Sequence, residues 1–454
     1  MLFTLFLILI FWDGTVLSAQ PVKKLRVCVI GAGPAGLSAA RHLAVHQDKF
    51  EFTVYERSNE IGGIWLYNEK TGLDDDGYPV HSSMYRDLRA NVPMVLMGFP
   101  DYRRNKESDG ACLTHRAVLD YLIEYANQFD LYRFIQFHTV VERVEFEPLS
   151  GNYNSTKGKW KVKTRDTKSG QMKVFFYDAI MVCNGHFFEP NIPQIPGLDK
   201  FEGDVLHSHD YRMPEFLYGK RAIVLGAAVS GVDIALEISK AAELVYLSHN
   251  YPRKLNGRSS NIVEIAGIDS FRDGVFILKD GSNVTGVDAL IFCTGYRYSY
   301  PFLSESTSVR VIDNQVMPLY KHVINVEHPS MGFIGIPQSI IPMPLFHLQV
   351  QYFVSLLMCK FSLPSKAEML SASKILPTLA ERKHAHDLKQ TRWFYNDQLA
   401  KDGKFEPLQP YYRIGYEMWE KLRQDRITDY KNFLLRVESD NKTVHIEHRP
   451  QLLT

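Results

Sequence analysis

LRVCVIGAGPAGLSAARHLA, residues 25–44, is the stretch that decides the predicted fold of this chain. Its apolar start at residues 25–30 is typical of a short buried strand, the glycines that follow predict a tight turn, and the apolar spacing beyond them predicts a helix to about Val45. A second strand is predicted at residues 52–55. Together these segments make a βαβ unit, so we expect an α/β fold built on a parallel sheet.

The turn in this unit has the spacing of a dinucleotide-binding loop. Its first glycine permits the tight turn, its second lets the main chain approach a pyrophosphate, and its third lets helix and strand pack closely. Glu56, at the end of the second strand, is placed to accept a hydrogen bond from an adenosine ribose. A glycine turn of purely structural use is the alternative. The residues predicted to bind the dinucleotide here are Gly31, Ala32, Gly33, Pro34, Ala35, Gly36 and Glu56.

A second glycine pair follows in Gly62-Gly63-Ile64-Trp65. A turn so soon after the ribose acid suits a loop that wraps a flavin, whereas an ordinary surface turn with a packing tryptophan is the alternative. We therefore predict FAD at the first loop, with Gly63, Ile64 and Trp65 among its contacts.

The pattern of strand, glycine turn and helix starts again at Arg221, with a predicted strand at residues 221–225. Ala228 stands where the first loop has its middle glycine, which narrows the approach for a pyrophosphate. No acidic residue ends the next predicted strand, and the cations Arg253, Lys254 and Arg258 follow. This combination favours the 2′-phosphate of NADP over NAD, and a solvated basic loop is the alternative. The residues predicted to bind NADP are Gly226, Ala228, Ser230, Gly231, Asp233 and Arg253.

Two nucleotide-type units in one chain predict two Rossmann-like domains, with the NADP domain inserted into the FAD domain. The predicted limits are 1–19 for a signal peptide, 20–214 for the first FAD segment, 215–330 for the NADP domain, and 331–454 for the second FAD segment with a C-terminal helical region. We also predict a small antiparallel insertion at 140–182 and hairpin strands at 275–278 and 284–292.

The composition excludes some classes of partner. The chain has 454 residues, with 52 Lys and Arg against 51 Asp and Glu, so no net field attracts nucleic acid. Its five cysteines form no CxxC pair, and Cys28, Cys183 and Cys293 lie in apolar, strand-like runs. We find no metal cluster or Ser/His/Asp set, and we expect a small-molecule substrate and a possible homo-oligomer.

The N-terminus predicts export. An apolar run at residues 2–12 is followed by small residues near Ala19, which is typical of a secretory signal peptide and too short to span a bilayer. An uncleaved anchor and a buried strand are the alternatives. We predict a secreted protein without a membrane anchor, and the sequons at Asn154, Asn283 and Asn441 give weak support.

Between the two loops stands FEGDVLHSHDYR, residues 201–212. It resembles the F-x-G-x-x-x-H-x-x-x-Y/F-K/R fingerprint of the flavin-containing monooxygenases at every specified position. The segments at 183–185 (Cys-Asn-Gly) and 293–296 (Cys-Thr-Gly-Tyr) resemble the family's A-T-G and A-T-G-Y with substitutions. The resemblance covers nearly the whole mature chain.

The resemblance implies a mechanism and further site residues. Asn91 and Val92 resemble the family's flavin-side segment, whose asparagine amide lies near the reactive flavin carbon and the nicotinamide ribose, so Asn91 is the predicted catalytic residue. Gln338 resembles part of a second flavin-facing segment. NADPH would reduce FAD, and O2 would give a C4a-hydroperoxyflavin that transfers one oxygen atom to a nucleophile. His207 is a candidate general base, to which we assign a structural role.

Within that family, a short chain with an export signal and no hydrophobic tail resembles the secreted pyrrolizidine-alkaloid (senecionine) N-oxygenases of insects. The resemblance implies N-oxide formation on a tertiary amine, as in alkaloid detoxification.

Other classes remain as alternatives. They are a general xenobiotic N- or S-oxygenase, a Baeyer–Villiger monooxygenase, and a secreted flavin- or alkaloid-binding protein without turnover. The Baeyer–Villiger fingerprint ends in W-P where this chain has Tyr211-Arg212. A pyridine-nucleotide disulfide reductase would need a CxxC pair beside its flavin.

Overall fold

A computed structural model describes residues 23–104, 106–149, 158–251, 255 and 260–448 of the protein. The predicted signal peptide, the sequon at Asn154 and the cations Arg253, Lys254 and Arg258 lie outside the described residues.

The first glycine loop belongs to a sheet whose central strands are parallel. Its strands among the described residues are, in spatial order, Leu319–Tyr320, Ile324–Asn325, Met331–Phe333, Ala179–Val182, Leu25–Ile30, Phe50–Tyr55 and Ile135–Gln136. The central strand Leu25–Ile30 is apolar and buried from Val27 to Ile30, as is typical of a parallel sheet that is covered on both faces.

The second glycine loop belongs to a separate sheet, whose strand pairs are all parallel. Its strands among the described residues are, in spatial order, Ile262–Ile265, Leu244–Ser248, Arg221–Leu225, Ala289–Phe292 and Asp204–His207. The chain leaves the first sheet after Val182 and returns to it at Leu319, so the second sheet is nested within the first. This confirms the predicted α/β class with two Rossmann-like units.

Antiparallel strands make up the remaining β-structure of the described residues. One insertion contains Thr139–Pro148, Gly158–Asp166 and Met172–Tyr177, and another contains Ile268–Arg272, Val275–Leu278 and Asn283–Thr285. The pairs are Glu189–Pro190 with Tyr296–Arg297, Arg310–Ile312 with Gln315–Met317, and Phe433–Val437 with Val444–His448.

The α-helices of the described residues are Pro34–Ala44, Met94–Met97, His115–Gln128, Val229–Ile238, Pro342–Leu357, Lys366–Ala372, Leu379–Lys383, Arg392–Gly403 and Pro410–Asp425. We call Pro34–Ala44 the first loop helix and Val229–Ile238 the second loop helix. None of the described helices is long and apolar enough to cross a membrane.

The chain passes from one sheet to the other at positions that differ from the predicted domain limits of 214 and 330. Asp204–His207 pairs with Ala289–Phe292 in the second sheet, and Leu319–Tyr320 already belongs to the first. The predicted strand at 284–292 is two strands, of which only Asn283–Thr285 is in a hairpin. Hydrogen-bond partners decide which sheet a strand joins, and a local pattern does not reveal a distant partner. The domain limits themselves stay predictions.

Candidate functional site

The first glycine loop has the shape that its sequence predicts. Gly31 has a φ of +98°, which favours glycine, and a Cβ there would lie 2.8 Å from the carbonyl oxygen of Cys183. A Cβ on Gly36 would lie 1.8 Å from the carbonyl oxygen of Gly31. The first loop helix therefore starts directly against the end of its strand, and such a helix N-terminus offers free N–H groups to a pyrophosphate.

Glu56 lies beside this loop. Its Oε2 accepts from the backbone N–H of Ala32 at 2.7 Å, and its Oε1 accepts from the N–H and the hydroxyl of Ser58, each at 2.8 Å. These bonds fix the carboxylate and leave Oε2 with a lone pair for a ribose hydroxyl. The geometry fits the predicted contact with adenosine.

The second glycine turn packs on the first loop. A Cβ on Gly63 would lie 3.0 Å from the Cα of Gly33, and the carbonyl oxygen of Ile64 accepts from the hydroxyl of Ser82 at 2.6 Å. The 3-10 turn Gly63–Trp65 therefore lies against the predicted pyrophosphate loop, and its contact with FAD stays a prediction.

The loop of the second sheet repeats the geometry of the first. Gly226 has a φ of +110°, and a Cβ on Gly231 would lie 1.8 Å from the carbonyl oxygen of Gly226. Ala228 has φ −76° and ψ −170°, close to the −71° and −175° of Gly33. Alanine is therefore free of backbone strain at this position, and the loop fits a second dinucleotide. Ser230 is exposed in the first turn of the second loop helix.

The carboxylate of Asp233 has partners from outside the second sheet. The Tyr85 hydroxyl donates to its Oδ2 at 2.8 Å, and the Lys431 ammonium donates to the same oxygen. Asp233 therefore links the second loop helix to the rest of the protein. Its contact with NADP stays a prediction.

Asn91 and Val92 precede the short helix Met94–Met97. The carbonyl oxygen of Asn91 accepts from Trp419 Nε1 at 3.0 Å, and its Oδ1 accepts from the Tyr430 hydroxyl at 3.1 Å. Val92 packs between the core around the first loop helix and the core of the C-terminal region. Sequence reasoning missed Trp419 and Tyr430 because they belong to no motif that we identified.

Gln338 is engaged by neighbouring protein groups. Its N–H donates to the carbonyl oxygen of His386 at 2.8 Å, and its Nε2 donates to the Tyr298 hydroxyl at 3.3 Å. The predicted contact between Gln338 and the flavin stays a prediction.

The fingerprint segment connects the two units through Arg212, which is 5% exposed. Its guanidinium donates to the backbone carbonyls of Asn68, Lys70, Ser82, His209 and Tyr211. Arg212 therefore holds the linker against the segment at 68–82, which in turn supports Ile64.

His207 is placed as a structural residue of the same segment. Its Nδ1 accepts from the backbone N–H of His209 at 3.1 Å. Burial lowers the pKa of His207 to about 4. The ring is therefore a weak base, which supports the structural role over general-base catalysis.

The last turn of the second loop helix carries a buried carboxyl, Glu237, which is 9% exposed. Burial, followed by the charge of Asp87, raises the pKa of Glu237 to about 7, against a smaller opposing contribution from the Tyr211 hydroxyl. The carboxyl is therefore more protonated in the folded protein than in the unfolded chain between about pH 4.5 and 7.

Glu237→Gln is expected to raise stability above pH 7 and to leave it unchanged near pH 4. The favourable contribution of the neutral carboxyl is complete below its ordinary pKa and is lost as the pH rises to about 7, at most about 3 kcal/mol. Melting temperatures of wild type and variant from pH 4.5 to 8 test this, with the exposed Glu243→Gln as the control. A stability difference that does not change with pH would contradict the expectation.

Aromatic and histidine rings lie where the two linkers meet, and we call them the ring cluster: His81, His186, Phe187, Phe188, His207, His209 and Tyr296. Their centroid distances include 5.4 Å for His81 and Phe188 and 5.1 Å for His207 and Tyr296. Burial lowers the pKa of His81 and of His186 to about 4 each. The imidazoles of His81, His186 and His207 are therefore uncharged near neutral pH.

One group of described residues has the side chains of a metal site. Ligand atoms of His42, Asp101 and His347 lie within 4.8 Å of one another at the end of the first loop helix opposite its glycine loop. The imidazole nitrogens of His42 and His347 are 3.1 Å apart, and Asp101 accepts from Arg41 at 3.2 Å. These contacts satisfy the groups without an ion. The expectation of no metal stays a prediction.

Comparison with known proteins agrees with this geometry. The family described as flavin-binding monooxygenase-like matches residues 23–262 and 256–407. The chain is 33% identical over 437 residues to flavin-containing monooxygenase FMO GS-OX-like 7 of Arabidopsis thaliana, covering 91% of each chain.

Two solved structures are also similar. The S-allyl-L-cysteine S-oxygenase from Allium sativum has a TM-score of 0.80 and 32% identity, with 93% of this chain and 98% of that chain covered. The protein Tmm from Pelagibacter sp. strain HTCC7211 has a TM-score of 0.75 and 26% identity, with coverage of 92% and 95%.

The two glycine loops fit two dinucleotides, and the family match extends across both loops and the linker between them. The chain therefore belongs to the flavin-binding monooxygenase-like family, which confirms FAD and NADP(H) as its cofactors and NADPH-dependent monooxygenation as its class of reaction.

Proposed function

We propose that this protein N-oxygenates a tertiary amine, and specifically a pyrrolizidine alkaloid such as senecionine, in alkaloid detoxification. The overall reaction is amine + NADPH + H+ + O2 giving N-oxide + NADP+ + H2O. The amine nitrogen supplies the electron pair of the new N–O bond, NADPH supplies two electrons, and the second oxygen atom leaves as water. Bound FAD mediates the electron transfer from NADPH to O2.

The observation that carries this proposal is the ring cluster between the two dinucleotide units, in which burial keeps the imidazoles of His81, His186 and His207 uncharged. Only the unprotonated form of a tertiary amine is a nucleophile, and a neighbouring carboxylate would favour its protonated form. The uncharged imidazoles and the aromatic rings offer an apolar surface, and the Asp210 carboxylate beside it is already paired with His209 Nδ1 at 3.2 Å.

A thioether oxygenase is the second candidate. The S-allyl-L-cysteine S-oxygenase from Allium sativum resembles this chain over nearly its whole length, and a thioether sulfur is also a neutral nucleophile. The same uncharged surface would accept it.

The test is NADPH consumption by FAD-loaded protein with senecionine, with S-allyl-L-cysteine, and without substrate, with product mass and H2O2 followed together. The proposal expects faster NADPH oxidation with senecionine and a product heavier by one oxygen atom. Oxygenation of S-allyl-L-cysteine alone would replace the amine by a thioether. H2O2 as the only product with senecionine would overturn the alkaloid assignment, and absence of NADPH oxidation would favour a binding protein.

The proposal includes secretion, because residues 1–19 have the pattern of a signal peptide. Expression of the full chain in cultured insect cells tests this, with N-terminal sequencing of protein from the medium. A secreted chain that begins near Gln20 is the expected result. Retention of the protein in the cells with residues 1–19 still attached would overturn it.

A further inference from the structure

We propose that Tyr430 is a positioning residue for Asn91, which it orients so that the amide nitrogen faces the cofactors. The inference takes Asn91 as the flavin-side asparagine, as the sequence predicts, and it is independent of the substrate in the proposed function.

Two C-terminal side chains hold Asn91. The Tyr430 hydroxyl donates to Asn91 Oδ1 at 3.1 Å, and Trp419 Nε1 donates to the Asn91 carbonyl oxygen at 3.0 Å. Tyr430 is 5% exposed and Trp419 is completely buried, with their ring centroids 6.2 Å apart. Packed rings of this size have little freedom to turn, so both the main chain and the side chain of Asn91 are constrained.

In the structure this hydroxyl faces the oxygen end of the Asn91 amide. An asparagine amide presents nearly the same shape after a flip, and its hydrogen-bond partners decide which end is oxygen. Burial raises the pKa of Tyr430, so its hydroxyl stays protonated and can donate. With Oδ1 directed to Tyr430, Nδ2 points the other way. Among the described residues, Asn91 Nδ2 donates to no protein acceptor, so this donor is left for the cofactors.

The turn that carries Tyr430 is bonded both to the segment that contains Asn91 and to the second loop helix. Lys431 Nζ donates to the Arg89 carbonyl oxygen at 3.0 Å and also to Asp233 of the second loop helix. Arg89 in turn donates to Asn432 Oδ1 at 3.1 Å. The 3-10 turn Tyr430–Asn432 therefore connects the segment of Asn91 to the helix that follows the NADP loop.

A double-mutant cycle on the FAD-loaded protein tests the inference. Its variants are Tyr430→Phe, Asn91→Ala and the double variant, and its readout is the Kd of NADP+ from the change in flavin absorbance. Tyr430→Phe removes only the hydroxyl. We expect a Kd about 3- to 10-fold higher, the size of one hydrogen bond. In the Asn91→Ala background the same substitution is expected to have no further effect.

Tyr416→Phe is the matched control. Tyr416 belongs to the same buried core cluster, and its ring packs under Arg392 rather than beside Asn91. It is expected to leave the Kd of NADP+ unchanged. Three results would each overturn the inference. They are a wild-type Kd for Tyr430→Phe, an equal effect of Tyr430→Phe in the wild-type and Asn91→Ala backgrounds, and an effect of Tyr416→Phe as large as that of Tyr430→Phe.

A second measurement separates this inference from the proposed function. NADPH oxidation and H2O2 formation without any amine report on the cofactor site alone, and we expect Tyr430→Phe to change their rates as Asn91→Ala does. Failure of senecionine as a substrate would leave these results intact. A Tyr430→Phe protein that does not retain FAD would also overturn the inference, because the hydroxyl would then act on flavin binding or folding rather than through Asn91.

Discussion

Gly36→Ala is expected to yield a protein that does not retain FAD and is destabilised by about 4 kcal/mol or more. The new Cβ would lie 1.8 Å from the carbonyl oxygen of Gly31 and 2.9 Å from its carbonyl carbon. Both are main-chain atoms, so no side-chain rotation relieves the overlap. The first loop helix would have to move away from its strand, which opens the core beneath both. FAD content after gel filtration and the melting temperature measure the effect.

Gly33→Ala is the matched comparison in the same loop. Gly33 has a φ of −71°, which alanine adopts without strain, and its Cβ would lie 3.4 Å from the Cα of Gly63, an ordinary contact. We expect an apoprotein of nearly wild-type stability with about 10-fold weaker FAD binding, because the methyl group meets the pyrophosphate and not the protein. Full FAD content in Gly36→Ala, or unfolding of Gly33→Ala, would contradict this division of roles.

Arg212→Met is expected to lower the free energy of unfolding by about 3 kcal/mol and to speed FAD release. Methionine keeps much of the side-chain length but donates no hydrogen bond, so backbone carbonyls at 68–82 and in the linker lose their shared donor. Ser82, one of the residues held by Arg212, in turn donates to the carbonyl oxygen of Ile64 in the turn Gly63–Trp65, which packs on the first glycine loop. Urea unfolding and the rate of FAD release measure the two effects.

Arg86→Met is the control for removing an arginine from this region. The Arg86 side chain is 42% exposed and pairs with Asp87 and Glu215, which are also exposed. Exposed ion pairs contribute about 0–1 kcal/mol, so this variant is expected to be close to wild type. A stability of Arg212→Met within about 0.5 kcal/mol of wild type would show that water replaces the guanidinium at these carbonyls.

Arg212 also distinguishes this fingerprint from the Baeyer–Villiger fingerprint. A fingerprint that ends in W-P, as in Baeyer–Villiger enzymes, places proline where this chain has Arg212, and a proline side chain has no donor for these carbonyls. The Tyr-Arg ending is therefore a physical difference in how the two dinucleotide units are joined.

The sequence alone determined the elements whose cause is local. The strand at 25–30, its glycine turn and the helix after it were predicted close to their observed limits, and the second unit at 221–238 likewise. Each depends on backbone freedom at a few glycines and on apolar spacing, both of which can be read within about fifteen residues. The spacing of Glu56 after the glycine loop predicted that it lies beside that loop and binds a ribose. In the structure its carboxylate accepts from the backbone N–H of Ala32 in the loop.

Only the tertiary structure decided what surrounds those elements. Tyr430 meets Asn91 across 339 positions of the chain, Lys431 meets Asp233 across 198, and Arg212 meets the segment at 68–82 across 130 or more. Asp233, predicted as a nucleotide contact, binds Tyr85 and the C-terminal Lys431 in the structure. Such contacts depend on how domains and the C-terminal region pack together, and packing among distant segments leaves no periodic signal along the chain.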